Sequence, residues 1–226
     1  MATRYRWYRI QLPHSSEDLA NLVAKSPFLE ESPFGFARIE SSADVPKFRF
    51  LWRSTLVVTR LDEDGSPAYE EIANVSFTDF AVINFGALNV LRVENPGRTV
   101  RDLLNAIESL VGLGFTAKPM TFEGLKPAAL FDDIDVSKLV GLKVVGAVID
   151  EDLVARMDFV SKDGMDVKSM KVLSGLKYKV DTAVFSISSE GVRGQVTLTA
   201  TGTVKVSGQL SGKLVQLIER HLSTVN

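Results

Sequence analysis

The chain has 226 residues, of which 45% are hydrophobic and 24% charged, with a formal net charge of −2 and a pI near 5.8. That is enough apolar content for a core without staples, and so balanced a charge gives no general pull toward nucleic acid or anionic membrane. There is no cysteine, which excludes disulfides, thiolate nucleophiles and cysteine-ligated metal sites.

The first residues, Met1-Ala2-Thr3-Arg4-Tyr5-Arg6, carry charge and aromatics rather than an apolar leader. No run approaches the ~18 apolar residues of a membrane span. The expectation is a cytoplasmic protein.

In chain order, a strand over 4–11 is followed by a helix over 16–25, capped by Ser15 or Ser16 and stopped by Pro27. Strands follow over 48–61, 69–77, 80–85 and 88–93, the first two separated by the turn Asp62-Glu63-Asp64-Gly65. Thr99 and Asp102 have capping-box spacing, and Val100, Leu103, Leu104, Ile107 and Val111 make an amphipathic helix ended by Gly112. After a strand over 115–122, the stretch 124–138, with Pro127 and Asp132, Asp133 and Asp135, reads as a connection between halves.

Further strands are expected over 142–150, 154–161 and 177–188, with a short helix over 165–173. From Val192 to Val206 apolar and polar residues alternate without a break, so one face is buried, the other wet and the sheet antiparallel; Gly202 marks a bend. A helix over 212–223 closes the chain, its face made by Leu214, Leu217, Ile218 and Leu222. Leu103, Ile107 and Glu108 can be laid on Leu214, Ile218 and Glu219, but the apolar period of any two amphipathic helices produces such a match.

The fold class is α+β: largely antiparallel sheet with two or three packed helices, in two similar halves (1–123 and 139–226) or as one domain. The order of elements through Leu91-Arg92-Val93, Leu103-Leu104 and Phe115-Thr116-Ala117-Lys118-Pro119, with a closing helix, resembles that of bacterial recombination-associated DNA-binding proteins. The resemblance lies in element order alone and carries no functional residue over.

No catalytic constellation emerges. The two histidines, His14 and His221, have no partner at metal-ligand spacing, and G-x-S-x-G is absent. Gly112-Leu113-Gly114-Phe115-Thr116-Ala117 follows a helix and precedes a strand, the reverse of a dinucleotide loop. Gly208-Gln209-Leu210-Ser211-Gly212-Lys213 lies between strand and helix, but it is one residue short of a phosphate loop and lacks the hydroxyl after Lys213. The acidic groups Asp62-Glu63-Asp64, Asp132-Asp133 and Asp150-Glu151-Asp152 fall at turns, where solvated carboxylates are ordinary. No metal and no cofactor are assigned.

Two basic–aromatic runs remain. Arg4-Tyr5-Arg6-Trp7-Tyr8-Arg9 is the first, and Lys47-Phe48-Arg49-Phe50-Leu51-Trp52-Arg53 the second. Cations neutralise phosphates and aromatics stack on bases, which makes Arg4, Arg6, Lys47, Arg49 and Arg53 candidate nucleic-acid contacts. In the second run, however, a strand puts cations on one face and aromatics on the other, as in a half-buried core strand. A further basic group, Lys162, Lys168, Lys171, Lys177 and Lys179, is diluted by Asp163, Asp166 and Asp181. The leading expectation is a non-catalytic assembly or protein-interaction component that self-associates, because long strands have edges that must be covered; nucleic-acid binding is the alternative.

Overall fold

The computed structural model describes residues 2–13, 16–39, 45–86, 88–97, 100–122, 130–131 and 134–224. The chain divides into two compact units, Tyr8–Lys118 and Met1–Trp7 with Pro119–Asn226. β1 (Ala2–Gln11) belongs to both units, and its first residues pair with a strand near the end of the chain. Pairing of β1 with β11 (Thr203–Gly208) is a long-range contact that no local pattern announces.

In the Tyr8–Lys118 unit the strand order is β2 (Phe34–Ile39), β3 (Lys47–Leu61), β4 (Pro67–Phe85), β5 (Leu88–Glu94) and the end of β1, with β6 (Thr116–Pro119) beside β1. β2–β3, β3–β4 and β4–β5 are antiparallel. On one face Phe36, Phe48, Phe50, Phe80, Leu91 and Val93 meet α1 (Ser16–Ala24), through Leu19 and Val23, and α2 (Val100–Val111), through Leu103 and Ile107. Each such buried side chain contributes ~1.5–3 kcal/mol. Phe36–Phe50 and Phe48–Phe80 centroids lie 5.4 and 5.6 Å apart, a spacing that adds ring–ring attraction to burial. The edge of β2 is closed by its own approach segment: Phe36 donates to the Ser26 carbonyl at 2.9 Å. Gly35 permits this, because a Cβ there would sit 2.4 Å from the Phe28 backbone.

In the second unit the order is the start of β1, β11 (Thr203–Gly208), β10 (Val192–Thr199), β9 (Lys179–Ser189), β7 (Val136–Asp150) and β8 (Leu153–Val160). α3 (Ser211–Thr224) covers β10 with Leu214 and Ile218, both fully buried. Gly194 lets it approach, since a Cβ there would lie 2.9 Å from Leu214 Cδ1. Trp7 is fully buried and its indole donates to Glu219 at 3.1 Å.

Four expected elements change. The strands over 69–77 and 80–85 are one strand, β4, and β2 was not anticipated. The run from Val192 to Val206 is a hairpin that turns at 200–202, with Leu198 opposite Val204. Paired residues there have the same parity, so the alternation continues through the turn and hides it. The helix over 165–173 is instead two 3₁₀ turns, Val167–Ser169 and Lys171–Leu173. His14, Arg98, Thr99, Asp132 and Asp133 lie outside the described residues.

Candidate functional site

β3 and β4 are far longer than their neighbours. β2 pairs with β3 only up to Trp52, and β5 pairs with β4 only from Asp79 onward. Beyond those points β3 and β4 continue as a two-stranded arm in register from Ser54↔Asn74 to Leu61↔Pro67. At ~3.3 Å per residue the arm is about 25 Å long. Among the described residues no strand pairs with its outer edges.

The turn at its tip is built by local chemistry. Gly65 has φ +83° and donates to the Asp62 carbonyl at 2.8 Å. Asp64 accepts from the Ser66 backbone amide at 3.0 Å and from the Ser66 hydroxyl. Those bonds hold the Asp64 carboxyl below the usual carboxylate range.

Both faces of the arm are apolar and wet. Val57, Leu61 and Tyr69 share one face, continued below the arm by Val75 and Phe77, with Leu61 and Tyr69 exposed to 74% and 70%. On the other, Leu56 faces Ile72 directly across the ladder, and both are exposed. An isolated hairpin of this kind has no core of its own and is marginally stable in water. Charge is added on top of this: 54–76 contains Asp62, Glu63, Asp64, Glu70 and Glu71 against one cation, Arg60, a formal −4. Arg60 pairs with Glu70 at 2.9 Å.

The candidate basic residues fall in two places. Lys47, Arg49 and Arg53 lie on β3 in the Tyr8–Lys118 unit, and Arg4 and Arg6 lie on β1 in the other. Lys47 pairs with Glu94 at 2.7 Å. Arg49 donates twice to Asp79, at 2.7 and 3.0 Å, and lies over Phe77, 4.1 Å from the ring centroid. The Asp79 hydrogen bond raises the Arg49 pKa above its ordinary value, against the effect of desolvation. Arg53 donates to the Ser32, Leu29 and Glu30 carbonyls and lies over Phe28. Arg4 and Arg6 also have partners. These cations are already engaged within the chain, so a phosphate would have to displace existing partners. Phe48 and Phe50 are buried on the core face rather than free to stack on bases.

A second feature lies in the other unit. A cavity of about 570 Å³ opens between β7, β9 and the segment 165–168. Leu139, Leu142, Met165, Val167, Val180, Phe131 and Phe185 give it apolar walls, and Asp166 and Lys168 are its charged members. The segment above it is pinned to β7: Ser161 donates to Val140 at 2.9 Å and Met165 to Leu139 at 2.8 Å. Asp166 caps the first 3₁₀ turn by accepting from the Lys168 amide at 3.0 Å. Leu173 anchors its far end against Leu142 and Val144. Lys162, Lys168, Lys171, Lys177 and Lys179 are all exposed.

Lys213 of the glycine-rich β–α turn donates to Ser189 at 3.1 Å. Asp150 accepts from the Glu151 amide at the β7–β8 turn. Among the described residues no three histidine or carboxylate groups converge on a metal position, and no helix is long and apolar enough to cross a membrane.

No protein-family model matches the chain, and no curated protein matches it.

Proposed function

We propose that this chain is an assembly component that associates with further copies of itself through the β3–β4 arm. The observation that carries the reading is the arm's combination of unpaired edges and exposed apolar side chains on both faces. Monomeric proteins shield long, flat, apolar edges, and an unshielded one is a template for strand addition or face-to-face packing. Here the exposure is sustained over eight registered pairs, from Ser54↔Asn74 to Leu61↔Pro67.

Nucleic-acid binding takes second place on electrostatic grounds. A two-stranded ribbon can enter a DNA groove, but this one carries a formal −4 and would meet phosphate with like charge. Lys47, Arg49 and Arg53 are engaged by carboxylates or carbonyls, and Arg4 and Arg6 by other interactions within the chain.

Multi-angle light scattering tests the reading. The parent chain is expected to exceed 24.8 kDa as concentration rises. A Tyr69→Ser, Ile72→Ser variant, altered only at exposed positions, is expected to stay monomeric. Equal mass growth in the two chains would overturn the proposal.

A further inference from the structure

Resting on the assembly reading above, we infer that the arm of one copy seats on the lysine-flanked cavity beside β7 and β9 of a second copy, an arm-to-cavity rather than an arm-to-arm contact. The two surfaces complement each other in both apolar character and charge. The arm presents Leu61 and Tyr69 beside a tip of formal charge −4 over 54–76. The cavity presents walls such as Leu139, Met165 and Phe185, with Lys168 among its lining residues.

The surrounding segment 162–181 holds five lysines and three aspartates, a formal +2. Asp166 caps its own turn beside Lys168 and Asp181 lies 3.8 Å from Lys143. All five lysines are exposed, and the excess the segment offers a partner is its formal +2. Methionine lines the cavity at Met165, and Met157 and Met170 pack against the adjoining cluster. Such side chains remodel around an inserted apolar group at little cost.

The contact joins two different patches of the chain, the acidic arm and the lysine-flanked cavity: made reciprocally between two copies it closes a two-fold dimer by arm exchange, and made in one direction it closes into a ring or grows into a filament. Placing the −4 arm against its own copy would also bring like charges together.

Two surface variants separate the cases. Tyr69→Ser with Glu71→Lys disables the arm but leaves the cavity; Lys168→Glu with Lys171→Glu disables the cavity surface but leaves the arm. All four positions are exposed. By sedimentation velocity each variant alone is expected to remain a monomer, with association at least tenfold weaker than the parent. Mixed one to one, they are expected to form a heterodimer that grows no further, which also shows that both are folded. If the lysine variant associates like the parent, the cavity inference falls and the arm reading stands. If the arm variant associates like the parent, or the parent is monomeric throughout, both fall.

Discussion

Arg49 and Asp79 sit directly opposite each other on β3 and β4 and are joined by two hydrogen bonds, at the point where the sheet gives way to the arm. Arg49 also covers Phe77, an exposed aromatic just below the arm. The pair therefore fastens the base of a ribbon that has no further strand to hold it. Replacing Asp79 with Ala should cost about 1–2 kcal/mol, read as a lower denaturation midpoint at unchanged slope. No loss would show that the pair contributes nothing to the base of the arm.

Because these cations are engaged, the chain should bind nucleic acid poorly. Fluorescence anisotropy with single- and double-stranded oligonucleotides is expected to show no saturable binding at physiological salt. Saturable binding that Arg4→Glu with Arg6→Glu, or Arg49→Glu with Arg53→Glu, abolishes would reverse the ranking of the two functions.

How much of this was readable in the sequence differs from element to element. α2 was found with its ends, since its apolar period, Asp102 and Gly112 act within a few residues of one another. The hairpin turn at Asp62–Gly65 was found for the same reason. That β3 and β4 outrun the sheet was not, because it depends on how short β2 and β5 are and where they pair. The faces of the second basic–aromatic run are legible in its alternation, with Phe48 and Phe50 inward. Its acidic partners, Asp79 and Glu94, stand 30 and 47 residues away and became visible only through strand register. The cavity has no motif at all. Its one trace in the sequence is the lysine group over 162–179, interrupted by Asp163 and Asp166.

The hairpin hidden in the 192–206 alternation depends on Gly202. Its φ is +89°, and a Cβ there would lie 1.8 Å from the Met120 carbonyl oxygen. Gly202→Ala should destabilise the protein by more than about 2 kcal/mol, from backbone strain plus the displaced chain. Gly212→Ala, with nothing within 4 Å of its Cβ, is the control and should be neutral or slightly stabilising in thermal melts.

Trp7 should be among the costliest positions in the chain to truncate. It is fully buried and bonded to Glu219 on α3. Trp7→Ala should lower stability by about 3–5 kcal/mol, whereas Trp52→Ala, at a partly buried position, should cost less. Equal losses would contradict the placement of β1 against α3.

The arm's turn should respond to acid. Asp64 has a lowered pKa in the fold, so its contribution is fully present above the unfolded value of ~3.9 and is lost as pH falls through the lower folded value. The Gly65 and Ser66 amide resonances should therefore hold steady at neutral pH and shift only below about pH 4. Asp64→Ala should remove that titration. A midpoint at or above the unfolded value would contradict the turn chemistry.

Hydrogen–deuterium exchange at low and high protein concentration tests the central claim most directly, because it reports on the arm's own backbone amides. If the arm is the docking element, exchange over 54–61 and 67–76 slows as concentration rises, while the amides of α2, already bonded within the helix, do not change. Arm exchange that is fast and equal at both concentrations, with light scattering showing association, would place the interface elsewhere and contradict the account.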